Sequence, residues 1–94
     1  MEFEWDENKN EINKKKLKVS FETASHVFDD INRVEMLDVL HSTAEEERRI
    51  TIGMAGKILF VVFTERKETT RIISARQATK NEKESYYGNS TVHA

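Results

Sequence analysis

Ile58–Phe63 (ILFVVF) is the longest unbroken apolar run in the chain. Six residues are too few for a buried helix. The run is rich in β-branched and aromatic side chains and is flanked by polar residues. A strand that is apolar at every position must be covered on both faces, so this segment is expected at the centre of a sheet. The rest of the fold has to supply a neighbour on each side of it and a layer above it.

The neighbours are legible as period-two segments. Arg48–Ala55 alternates, with Arg48, Ile50 and Ile52 on one side and Arg49 and Thr51 on the other. Thr69–Arg76 alternates too, with Ile72, Ser74 and Arg76 sharing a face and Arg71, Ile73 and Ala75 opposite. From Val34, residues Val34, Met36 and Asp38 oppose Glu35, Leu37 and Val39. The links between these segments are short: a polar connection at His41–Glu47 and turn chemistry at Gly53–Gly56. An antiparallel meander of four strands is therefore expected. Phe3 and Trp5, alternating with Glu2 and Glu4, read as a short half-buried strand.

The covering layer comes from the first third of the chain. Asp6 is placed as an N-cap for a helix over Glu7–Leu17, with Ile12 and Leu17 as its buried stripe. Ser20 caps a second helix over residues 21–29, where Phe21, Ala24, Ser25 and Phe28 recur at helical spacing. Thr79-x-x-Glu82 resembles a capping box opening a last helix to about Tyr87, closed by Gly88. The expected architecture is α+β, in the order β-α-α-β-β-β-β-α. Residues 1–88 form one domain and 89–94 a flexible tail.

Composition closes off several classes of function. With no cysteine there is no disulfide, no zinc-thiolate site and no thiol nucleophile. No apolar run approaches the ~20 residues of a membrane span. The acidic start, Met1–Lys9, carries no secretory apolar region, so a cytoplasmic protein without membrane contact is the default. The chain has no phosphate-binding Gly-rich loop, no paired histidines at metal spacing and no nucleophile elbow, so no cofactor and no metal are expected. His26, His41 and His93 are scattered and read as surface histidines. His41 gains interest only if a site adjoins its loop.

Charge is more informative than its net value of −2. Residues 1–18 balance, residues 19–56 carry −5, and residues 57–83 carry +4. Arg66 follows the apolar strand, Arg76 ends the next strand, and Arg48 opens a third with Ile50 and Ile52 on its side. An arginine beside core residues snorkels, pairs with an acid, or points into a cleft. In a cleft, such guanidiniums, with Lys80 nearby, would hold an RNA phosphate and stabilise a phosphorane-like transition state. The Lys14–Lys16 run would point to nucleic acid if it came to one face with the basic C-terminal third. Equally, Glu47, Glu65 and Glu82 are available to pair the arginines off as a charged surface. Both readings stand at the level of residue pattern.

A resemblance adds to this. "FEWDENK" at Phe3–Lys9, "VSFETASHVFDD" at Val19–Asp30, "ERRITIG" at Glu47–Gly53, "LFVVFTER" at Leu59–Arg66 and "RIISARQATKNE" at Arg71–Glu82 together resemble the BrnT family. These are ribonuclease toxins of BrnT–BrnA type II toxin–antitoxin modules. The likeness runs from Glu2 to about Tyr87. It implies a RelE-like fold, a bacterial or phage-borne source, an RNA substrate, metal-independent cleavage that inhibits translation, and neutralisation by a BrnA-type antitoxin. Two toxins around an antitoxin dimer are implied, with operator DNA touched only by the antitoxin. Carried over by motif, Arg66 and Arg76 become phosphate-binding and transition-state residues. Glu65 becomes an orienting carboxylate or base, Arg48 and Lys80 supporting cations, and Ser74 and Lys16 RNA contacts. One position departs from the pattern: Leu17 stands where the family commonly has His in a "KHGV" stretch. A leucine can neither transfer a proton nor orient the helix end through an imidazole, so an attenuated toxin, or a module that binds without cutting, is the alternative.

Overall fold

The computed structural model describes the backbone of residues 1–92 and the side chains of residues 1–88. The elements are β1 (Glu2–Glu4), α1 (Glu7–Leu17), α2 (Phe21–Ser25) running into a 3₁₀ turn (His26–Asp29), β2 (Val34–Leu37), β3 (Arg48–Ala55), β4 (Lys57–Arg66), β5 (Thr69–Gln77) and α3 (Lys80–Val92). The α+β order is the expected one. The five strands form one sheet in the order β1-β5-β4-β3-β2, with the apolar run in the middle. Strands β2 to β5 are the antiparallel meander.

The sheet is mixed rather than wholly antiparallel, because β1 pairs parallel to β5 through Glu2–Thr69, Phe3–Thr70 and Glu4–Arg71. No hairpin joins these strands. The intervening chain is the whole domain, so turn geometry does not dictate their relative direction. A second departure lies inside β5. The register slips between Val62 and Phe63, which oppose Ser74 and Ile72, leaving Ile73 as an extra residue. The bulge breaks the simple alternation: Ile72 joins Ala75 in the core, while Ser74 lies across from Val62 and Arg76 across from Phe60.

One face of the sheet is covered by α1, α2 and the 3₁₀ turn. Val19, Phe21, Ala24 and Val27 pack on Leu59, Val61, Ile72 and Ala75. Phe28 stacks edge-on against Phe63 at 4.9 Å between ring centroids. Gly53 sits inside β3 rather than in the turn, and a Cβ there would lie 2.7 Å from a Val27 methyl, so its absence lets the 3₁₀ turn approach. The β3–β4 turn rests on Gly56, whose φ is +78°.

Helix α1 buries something other than the expected stripe. Ile12 and Leu17 are about half exposed, and the buried side chains are Asn10 and Asn13. Asn13 donates to the carbonyls of Val19 and Ala75, both at 2.8 Å, and Asn10 accepts the Phe21 N–H at 2.8 Å. Strand β1 reaches only as far as Arg71 along β5, and Asn13 satisfies a carbonyl beyond that end. Both helix caps are as expected: Asp6 accepts from Asn8 and Lys9, and Ser20 from Thr23.

The other face of the sheet is covered only at one end. Tyr86 of α3 packs with Ile52, Ile58 and Ala78, and its hydroxyl donates to Asp30 at 2.6 Å. The Thr79–Glu82 capping box is present, with Thr79 N–H donating to Glu82 at 2.8 Å. The helix does not stop at Gly88; its backbone continues to Val92. Of the expected tail, residues 93–94 lie outside the described residues. Among the described residues no helix is long and apolar enough to cross a membrane.

Candidate functional site

The uncovered part of that second face is a cavity of about 430 Å³. Its floor is Ile50, Phe60 and Val62 of the two central strands, with Ile73 and Ser74 of β5. Around them stand Arg48, Arg76, and Asp38, Leu40 and His41 of the β2–β3 connection. Arg48 and Arg76 reach one cavity for a geometric reason. Arg48 is in step with Ile50 and Ile52 along β3, Ile50 and Ile52 oppose Val62 and Phe60, and Phe60 opposes Arg76. Both guanidiniums therefore rise from the same face, two strands apart.

Each arginine is held from one side. The Arg76 guanidinium lies 3.9 Å over the Phe60 ring. Its two terminal nitrogens meet the Glu82 carboxylate at 2.7 and 2.9 Å, a bidentate fork. One Nη1–H also reaches the Gln77 carbonyl at 3.2 Å. A guanidinium has five N–H donors, so the Nε–H and one Nη2–H remain as an edge that makes no hydrogen bond within the described residues. Arg48 gives its Nε–H to Glu46 at 3.2 Å, and its two terminal nitrogens make no hydrogen bond within the described residues. Glu46 takes a second bond, from Arg66 Nη2 at 3.2 Å. Two arginines around one carboxylate leave a local charge of +1.

These contacts fix the charge states. The hydrogen bond from Arg48 is the first cause holding the Glu46 carboxyl below its ordinary range, and the bond from Arg66 adds to it against a burial cost. Glu82 is lowered by its hydrogen bonds with Arg76, against burial, with the Thr79 amide contributing. Arg76 is raised in turn by Glu82. Both carboxylates are committed acceptors and poor proton acceptors.

The remaining expected residues lie elsewhere. Arg66 is joined to the cavity through Glu46 and lines a neighbouring cleft with Glu45, Glu47 and Arg49. Glu65 lines that same cleft, where it accepts from the Thr70 hydroxyl at 3.2 Å. The carboxylate that organises arginines is thus Glu46 rather than Glu65. Lys80 is exposed at the start of α3 and is not in the cavity wall. Lys16 and Leu17 line a separate apolar groove of about 310 Å³ between α1 and β5. Ile73 lines both this groove and the arginine cavity, so position 17 lies across one side chain from the site.

Residue pattern alone does not single out Glu46, Asp38 or Phe60. Glu46 sits in a run of three glutamates, where nothing in the spacing tells which one faces inward. Asp38 shares a side of its strand with Val34 and Met36, and a carboxylate in register with apolar residues is the available signal. Its register neighbour is Arg48, whose carbonyl accepts the Asp38 N–H at 2.8 Å.

The class these features define is a small α+β domain with an arginine-lined cavity on the uncovered face of its sheet. Residues 5–82 match the family model described as "Ribonuclease toxin, BrnT, of type II toxin-antitoxin system". The chain belongs to that family. Among solved structures it is similar to the Brucella abortus ribonuclease toxin BrnT, determined at 1.1 Å. The identity is 24%, the TM-score 0.64, and the match covers 85% of this chain and 99% of that one. A comparison with curated proteins finds no match.

Proposed function

We propose that this chain is an endoribonuclease toxin that seats an RNA phosphate between Arg48 and Arg76 on the open sheet face. The observation that carries the reading is the pair of guanidiniums from different strands lining one cavity, each with donors left over. The ribose 2′-hydroxyl attacks the adjacent phosphate, and negative charge builds on the phosphoryl oxygens. The free edge of Arg76 and the terminal nitrogens of Arg48 are placed to stabilise it. Ser74 supplies a hydroxyl within the same cavity. Arg66, tied to Arg48 through Glu46, adds positive charge at the rim. Lys80 and Lys16 lie outside the cavity and are assigned to flanking phosphates. The reaction needs no metal, and loss of RNA arrests translation.

A BrnA-type antitoxin neutralises the chain by covering this face. The division between an acidic middle segment and a basic C-terminal one gives such a partner complementary charge to steer by. Two toxins around one antitoxin dimer, with operator DNA contacted through the antitoxin alone, and a cytoplasmic location complete the reading. Leu17 favours a second reading, a toxin attenuated towards RNA or antitoxin binding.

The test is purified chain incubated with total RNA in excess EDTA, beside Arg76→Ala and Arg48→Ala, together with growth on expression of each. Cleavage and growth arrest by the parent chain, reduced about 10²–10³-fold in Arg76→Ala, are expected. RNA that is retarded in a gel with steep salt dependence but stays intact selects the binding reading instead.

A further inference from the structure

The proposed reaction needs a group to take the 2′-hydroxyl proton. The carboxylates beside the arginines are unsuited to it: Glu46 is shared by Arg48 and Arg66, and Glu82 is locked in the Arg76 fork. The cavity wall holds one further pair. His41 Nδ1 lies 2.9 and 3.1 Å from the two Asp38 carboxylate oxygens. Resting on the ribonuclease reading, we propose that His41 is the general base of the reaction and Asp38 the residue that positions it.

The chemistry of the pair sets its tautomer. A carboxylate only accepts, so Nδ1 carries the proton and Nε2 of the neutral ring is left as the acceptor. No described residue hydrogen-bonds Nε2. Asp38 is buried to 8% exposure and the His41 side chain is 67% exposed, an anchored carboxylate holding an accessible ring. The pair is also in step with the phosphate-binding arginine. Ser42 Oγ lies 2.7 Å from the Asp38 carbonyl and 3.2 Å from the Arg48 carbonyl, and it accepts the Arg48 N–H at 2.9 Å. The Ser42 N–H donates to the Asp38 carbonyl at 3.0 Å, and Thr43 N–H to that of Glu46 at 2.8 Å. The turn is therefore closed by its backbone and Ser42, without the imidazole. An Asp–His pair that served only to staple the loop would be redundant with these bonds.

In the step itself, Nε2 of His41 takes the proton from the 2′-hydroxyl as O2′ bonds to phosphorus. The P–O5′ bond breaks, and the imidazolium returns the proton, directly or through solvent, to the departing 5′-oxygen. The products are a 2′,3′-cyclic phosphate and a 5′-hydroxyl end, with no net change in protons. The charged groups facing the ring across the cavity are Arg48 and Arg76, with Asp38 behind it.

The experiment is steady-state cleavage of an RNA oligonucleotide by the full chain and by His41→Ala, His41→Gln, Asp38→Asn and Asp38→Glu, with melting temperatures recorded for each. His41→Ala and His41→Gln are expected to lower kcat about 10²–10⁴-fold with KM within a few-fold. Added imidazole is expected to restore part of the His41→Ala rate. Asp38→Asn is expected to lower kcat and displace the pH–rate profile, while Asp38→Glu recovers much of the rate. A folded His41→Ala variant cutting within twofold of the parent overturns the assignment while leaving the ribonuclease reading intact. A parent chain that leaves RNA whole overturns both. An unmoved pH profile in a slowed Asp38→Asn overturns the positioning role alone.

Discussion

The two faces of this sheet are made from alternate residues of the same strands and have opposite characters. Leu59, Val61 and Phe63 point into a dry interior closed by two helices and a 3₁₀ turn. Phe60 and Val62, one residue out of step, form the floor of an open cavity walled by arginines. On the first face an aromatic ring meets other aromatics: Phe63 meets Phe28, which meets Phe3. On the second, the ring of Phe60 carries a guanidinium. One apolar run thus does two jobs. Half of it supplies stability, and the other half supplies the apolar floor of the cavity in which the proposed function seats a phosphate.

The comparison breaks most visibly if the two phenylalanines are exchanged for alanine in turn. Phe63→Ala removes a fully buried ring, and about 3–5 kcal/mol of unfolding free energy is expected to go with it in a urea melt. Phe60→Ala removes a partly buried ring and is expected to cost about half as much or less. It also frees Arg76 from its stack, with a fall of about tenfold in RNA cleavage measured on folded protein. If Phe60→Ala proves the more destabilising and leaves cleavage unchanged, the division of labour between the faces is wrong.

The next largest effect sharpens what holds the covered face. Asn13→Ala strands the carbonyls of Val19 and Ala75 in the interior, at a cost of about 2–3 kcal/mol. Ile12→Gln on the same helix is expected to cost no more than about 1 kcal/mol, because Ile12 is already about half exposed. Equal effects in thermal melts would restore the apolar stripe to importance.

Those two residues also show how far the sequence could be read. The central strand, the meander and both helix caps follow from local signals: an apolar run, period two, and Asp6 and Ser20 ahead of helical spacing. The buried side of α1 does not, since asparagine marks a buried position only when a remote carbonyl needs a donor, and Ala75 is 62 residues away. The β5 bulge is equally silent. Ile72, Ile73 and Ser74 carry no glycine to announce it, and the slip decides which residues share a face with Arg76. In the candidate site, Arg48 is readable because it keeps strand parity with Ile50 and Ile52, and Arg76 because it ends a period-two strand, although the bulge sends its expected face-mate Ile72 to the covered side. The partners Glu46 and Asp38 are not, because they come from an irregular connection whose path is set by Ser42 and backbone bonds rather than by periodicity.

Acid should separate the faces without any truncation. Glu82 is held below the ordinary carboxylate range by its Arg76 hydrogen bonds, so its folded form favours the ionised state. A depressed folded pKa contributes stability above the unfolded value, and that stability is lost as pH falls through the folded one. The start of α3 and the Arg76 fork are therefore expected to loosen as pH drops below the usual glutamate range. Melting temperatures across pH 3–7 (about the carboxylate window) should fall less steeply for Glu82→Gln than for the parent. A parallel pair of curves would mean the fork contributes nothing to folding.

The smallest structural change bears on the rival functional reading. Leu17 is 45% exposed at the end of α1, and Leu17→His is expected to change stability by no more than about 0.5 kcal/mol. Its side chain shares the groove with Ile73, whose other side lines the arginine cavity. Should the native leucine mark attenuation, Leu17→His raises both RNA cleavage and growth inhibition. Should His41 already supply the proton transfer, Leu17→His leaves cleavage where it is, and the double variant Leu17→His with His41→Ala remains as slow as His41→Ala alone. Recovery of the rate in that double variant would place the base at position 17 and return the Asp38–His41 pair to the loop it sits in.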